Sequence, residues 1–144
     1  MNRILVLLFV FLAVFFTVNA NLSLMQCPDH SASNVSAIYQ VTINPNQPVS
    51  DAKITINGHV YTKVDIIQGD IFIFGFKYSD HKDFASDSKD ICSDGKTKCP
   101  TQSYDIDFSI TAPKLPNFYI IEASIFRPNK SITVACGYTP YMTR

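Results

Sequence analysis

The sequence predicts an all-β protein, an antiparallel two-sheet sandwich held by disulfide bonds. Seven short strand-like runs follow one another, four of them alternating apolar and polar side chains with a period of two, and no helical period follows residue 20. Clusters of Gly, Pro, Asn and Asp separate these runs, as turns require. Four cysteines lie behind a secretion signal, two near the ends of the mature chain and two close together in its middle. In an oxidising compartment this reads as a disulfide framework.

Arg3 precedes an apolar run over residues 4–16, and Val18-Asn19-Ala20 offers a cleavage site. That run is shorter than the roughly 20 residues a spanning helix needs. Residues 1–20 are therefore expected to be a cleaved signal peptide, and residues 21–144 a single soluble, secreted domain, with a lysosomal or endosomal lumen as the alternative destination. Once Arg3 is removed, acidic side chains exceed basic ones by one, and no stretch is strongly basic. This excludes nucleic acid as a partner. Asn21, Asn34 and Asn129 open N-x-S sequons and are candidate glycosylation sites.

In chain order, Cys27 precedes a first strand at 37–43, which Asn44-Pro45-Asn46-Gln47-Pro48 ends. Two strands follow, at 52–57 and 60–66, with Asn57-Gly58 as the turn between them. After Gln68-Gly69-Asp70 comes a run at 71–78 in which both parities are apolar; we assign the even parity inward. Residues 79–98 are polar and charged and are expected to form an exposed loop, its second half closed by Cys92 and Cys99. Its lysines, balanced by its own aspartates, read as solvated. Strands at 104–110, 118–126 and 131–138 complete the set, separated by Pro113 with Pro116 and by Arg127-Pro128-Asn129. Cys136 shares the parity of Ile132 and Val134 and is expected to face inward. Pairing it with Cys27 would supply the long-range staple.

No catalytic pattern emerges. His30, His59 and His81 are scattered without metal-ligand spacing, and no cysteine is left over to join them. Asp105 and Asp107 lie two apart, as a polar strand face turned to water would place them. There is no nucleophile elbow, phosphate-binding loop or dinucleotide fingerprint. We expect no enzyme, no cofactor and no metal. What stands out is apolar surplus in the middle strands, which suits a sandwich holding an apolar ligand between its sheets. The inward parity assigns Ile54, Ile56, Val64, Ile66, Phe72, Phe74, Phe76, Tyr104, Phe108, Tyr119, Ile121 and Ile125 to that interior as lipid-binding candidates.

Several segments resemble the ML lipid-recognition domain. They are ICSDGKTKCP, with its close cysteine pair followed by proline; Ala112-Pro113-Lys114-Leu115-Pro116; SITVACGY; and, upstream, KITINGHVYTKVDIIQGDIFIF with Gly58 and Gly69. The resemblance spans the mature chain. It implies an immunoglobulin-like sandwich with a ligand cavity between the sheets, and the disulfides Cys27–Cys136 and Cys92–Cys99. The Niemann-Pick cholesterol carriers have a further early cysteine pair, absent between Cys27 and Cys92 here. Together with Asn44-Pro45-Asn46-Gln47-Pro48 and Ile67-Gln68-Gly69, that absence makes the chain look more like the phosphatidylglycerol/phosphatidylinositol transfer branch. The resemblance thus implies a secreted, monomeric, non-enzymatic phospholipid carrier with transient contact to membrane surfaces. Sterol transport through the same cavity, and a solid-cored extracellular recognition module, are the alternatives.

Overall fold

The computed structural model describes residues 22–27, 37–93 and 95–143. The expected signal peptide, His30 and the sequons at Asn21 and Asn34 lie outside the described residues. These residues form nine strands: β1 (Leu22–Ser23), β2 (Met25–Gln26), β3 (Ala37–Asn44), β4 (Lys53–Ile66), β5 (Ile71–Lys77), β6 (Asp83–Asp90), β7 (Thr101–Thr111), β8 (Phe118–Arg127) and β9 (Ile132–Met142). A 3-10 turn at Pro128–Lys130 joins β8 to β9 and carries Asn129 in an exposed position. The strands form two antiparallel sheets, ordered β1-β3-β4-β7 and β2-β9-β8-β5-β6. The predicted two-sheet sandwich is what the chain builds.

The pleat decides which side chains are inside. Cross-strand partners share a face, so Ile43, Ile56 and Phe108 point the same way across the first sheet, as do Phe72 with Ile125 and Phe76 with Ile121 across the second. All of these are buried. The sheets come closest where β3 and β4 cross β9. There a Cβ on Gly137 would lie 2.9 Å from Tyr39 Cδ2 and 2.8 Å from Leu24 Cβ, so only a glycine fits beneath the Tyr39 ring.

Four local expectations are corrected. The first concerns Asn57-Gly58, which does not turn: 52–57 and 60–66 are one fourteen-residue strand, β4. Gly58 serves close approach instead, since a Cβ there would stand 2.2 Å from the Gln40 carbonyl oxygen and 2.8 Å from Val41 Cα. Gly58→Ala should therefore cost about 1–3 kcal/mol in urea unfolding, because β3 would have to move aside. An unchanged midpoint would show that β3 moves freely. The Gly69 turn does form, with φ at +89°, and connects the two sheets.

The second correction is to the charged stretch 79–98. Its first part is not a loop but β6, an edge strand paired with β5. A ladder needs only backbone groups, so an edge strand can be almost wholly polar. Asp83, Asp87, Lys89 and Asp90 discourage a further strand from adding there. The loop that remains is closed by the Cys92–Cys99 bond, with a sequence separation of 7.

The third concerns the N-terminal segment. Cys27 follows β1 and β2 rather than preceding the first strand. Two residues of pairing with β3 and two with β9 hand the chain from one sheet to the other. In the same way β9 runs on to Met142, beyond the expected end at 138.

The fourth concerns Cys136. It is bonded to Cys27 with Cα atoms 5.6 Å apart and is buried, but it faces away from the interior. Its cross-strand partner is Ser124, and Gly137, next along, is the residue that points at Tyr39. A register shift between Ile125 and Phe126 skips Val134 in the ladder and resets the parity. Val134 joins the core, whereas Ile132 is exposed. On this outer face Glu122 lies within 4.8 Å of both sulfurs, which are bonded to each other and so offer a metal nothing. Glu122 pairs instead with Lys77 at 3.0 Å. Burial works against the Lys77 ammonium, but Glu122 and Asp83 outweigh it and hold its pKa above the ordinary lysine value.

Candidate functional site

Three phenylalanines of β5 occupy the middle of the interior. Phe72, Phe74 and Phe76 are at most 1 % exposed, while Ile71 and Ile73 sit half-buried on the outer face, as the even parity expected. On the side away from Tyr39 and Gly137, aromatic rings span the gap between sheets. Phe72 lies 5.8 Å from Tyr104 and 5.7 Å from Phe108, and Phe74 lies 6.2 Å from Phe108.

From this centre the rings continue to one end of the sandwich. Phe76 touches Phe74 at 5.8 Å, Tyr119 at 6.1 Å and Phe84 at 6.1 Å. Phe84 then meets Tyr78 at 4.6 Å, and Tyr78 is 46 % exposed. Tyr119 stacks on Tyr141 at 5.5 Å with the planes 7° apart. Strand direction brings the start of β8 and the ends of β5 and β9 to this same end, so exposed Phe118 and Met142 stand opposite each other beside it. An aromatic path therefore runs from the deep interior to the surface.

The other inward candidates fall into place around it. Ile54, Ile56, Ile66, Tyr104, Phe108, Tyr119, Ile121 and Ile125 are buried and belong to the core. Val64 is only half-buried, because the β4–β7 register breaks between Tyr61 and Ile66. Sequence reasoning missed Tyr39, Val41, Ile43, Val60 and Ile106, all inward, and Tyr141, which lay past the expected strand end. The first three were legible in the same alternation that marked their strand.

Among the described residues, two buried hydroxyls, those of Tyr39 and Tyr141, have no hydrogen-bond partner. Burial, and then the Glu122 charge, push the Tyr39 phenol far above its ordinary pKa, and burial pushes Tyr141 up to about 12. Both are neutral donors at physiological pH. Tyr39 lies at the narrow side of the sandwich, walled by Gly137 and Leu24. Removing its unpaired hydroxyl in Tyr39→Phe should raise stability by about 1–2 kcal/mol. Urea unfolding measures this, and a loss of stability would mean that water reaches and satisfies the hydroxyl.

Two clefts on the outer surface are lined by described residues. One, of about 330 Å³, lies on the outer face of the four-stranded sheet and is lined by His59, Lys96, Thr97, Lys98, Thr101, Ser103 and Asp105. Register places His59 opposite Asp105, and the two are hydrogen-bonded, a contact that sequence spacing alone did not reveal. Ser103 shares the cleft, and its hydroxyl lies 3.5 Å from Thr101 Oγ1. The second, of about 390 Å³, is lined by Gln47, Pro48, Val49, Ser50 and Thr143 at the end where the aromatic path emerges. Asp107 is exposed, as expected of a polar face, and His81 is half-buried beside Tyr138.

The molecule is thus a disulfide-bonded antiparallel sandwich with an aromatic interior. No protein-family model and no curated protein matches the chain. Among solved structures, a β-glucuronidase from glycoside hydrolase family 2 is similar over 79 % of this chain and 12 % of its own, at 14 % identity and a TM-score of 0.45. The Bacteroides uniformis β-glucuronidase is similar over 72 % and 13 %, at 14 % identity and a TM-score of 0.43. The chain thus spans about an eighth of these enzymes. Chicken MD-1, solved in complex with lipid IVa, is similar over 77 % of this chain and 96 % of its own, at 17 % identity and a TM-score of 0.37. At such scores these are likenesses of strand arrangement and carry no function across.

Proposed function

We propose that the protein is a secreted, non-enzymatic lipid carrier. It receives acyl chains among the rings between its sheets and moves phosphatidylglycerol or phosphatidylinositol from one membrane to another. The observation that carries this reading is the continuous aromatic path from Phe72 to the exposed Tyr78. Each methylene withdrawn from water contributes about 0.8 kcal/mol, so an apolar path that reaches the surface suits an acyl chain whose head group stays in solvent. Two disulfides suit an oxidising, extracellular or lumenal setting. Resemblance to the ML domain supports the same reading.

Fluorescent phosphatidylglycerol or phosphatidylinositol in donor vesicles should move to acceptor vesicles faster when the purified protein is added, with no hydrolysis product. A native mass spectrum of protein from its source should show a lipid adduct. The competing reading is a solid-cored recognition module, favoured by inward side chains that bury one another to 0–2 % exposure at most positions. If neither phospholipid nor sterol transfers and no lipid copurifies, that module replaces the carrier.

A further inference from the structure

We infer that the Tyr141 hydroxyl donates a hydrogen bond to an ester carbonyl of the bound lipid, so that the protein selects ester-linked over ether-linked acyl lipids. This rests on the carrier reading and names the ligand chemistry at its outlet. Three observations lead there. The Tyr141 hydroxyl is buried without a partner, an arrangement native proteins seldom leave unexplained. Its ring is held flat against Tyr119, which in turn touches Phe76, so the hydroxyl belongs to the aromatic path and not to the closed side where Tyr39 lies. It also sits one residue before exposed Met142, on a strand end pinned by the Thr143 amide bonding the Asn117 carbonyl at 3.0 Å.

The donor therefore belongs to the end of the sandwich where β8 starts and β9 finishes, the end at which the aromatic path reaches the surface. A lipid entering tail first with its head group in water places its ester carbonyls at that end, between head group and chains. Those carbonyls are the first acceptors below the surface. An ether-linked lipid of equal length presents a much poorer acceptor there and leaves the phenol unpaired.

Competition between diester and diether phosphatidylglycerol of matched chain length tests this on the intact protein. Wild type should bind the diester about five-fold more tightly, the value of one ordinary buried hydrogen bond. Tyr141→Phe should abolish the preference by lowering diester affinity towards that of the diether, and Tyr39→Phe should retain it. Equal, tight binding of both lipids by wild type would overturn the inference without touching the carrier reading, and needs no variant. So would a Tyr141→Phe protein that keeps the preference or that loses both lipids equally. Binding of neither lipid by wild type would overturn the carrier reading, and this inference with it.

Discussion

Arg127→Met should destabilise the protein by about 3–5 kcal/mol, a large part of the about 5–15 kcal/mol that holds a domain folded. Asp70 is wholly buried and Arg127 is 8 % exposed. The guanidinium grips the carboxylate with both ends, Nε to Oδ1 at 2.7 Å and an Nη to Oδ2 at 2.8 Å, and also donates to the Asp65 carbonyl at 2.7 Å. Asp70 further accepts the Ile67 amide at 2.9 Å, so one carboxylate ties the β4–β5 turn to the end of β8. Removing the arginine strands a buried negative charge. The shift in the urea midpoint measures the cost, and a loss below about 1 kcal/mol would mean that water enters to solvate Asp70.

Replacing Cys27 by alanine should cost about 5 kcal/mol in the chain-entropy description, against about 2 kcal/mol for Cys92. The difference follows from the loops the bonds close, with separations of 109 and 7 residues. The longer bond also joins the two-residue strand β2 to β9, so its loss should free the N-terminal crossover that β1 and β2 make between the sheets. Paired unfolding curves of Cys27→Ala and Cys92→Ala, each freed of its partner cysteine by a second alanine, measure the gap. A Cys92 variant as weak as the Cys27 variant would show that the short loop acts by fixing the end of the sandwich and not through unfolded-chain entropy.

These two features differ in how they could be found. Four cysteines announce themselves, and their spacing proposed one long staple and one short loop. Asp70 and Arg127 are 57 residues apart and each sits in a plain turn signal, so nothing local marks them as partners. The same holds for His59 and Asp105, which became neighbours only when β4 and β7 took their register. Tyr141 escaped because its strand was expected to stop at 138, and its unpaired hydroxyl becomes visible only when the surrounding atoms are placed.

Alternation by itself determined the all-β class, the two-sheet architecture and the inward face of β4 and β7, because a pleat of period two leaves each side chain only two directions; β5 and β8 are apolar on both parities, and their inward face was decided by the packing. The tertiary structure alone decided that Gly58 continues a strand, that the charged segment becomes the edge strand β6, and that Cys136 turns outward. The reason is common to all three. Each depends on how closely a second strand approaches and in what register, which is set by backbone pairing between residues distant in sequence and leaves no periodic trace in either one.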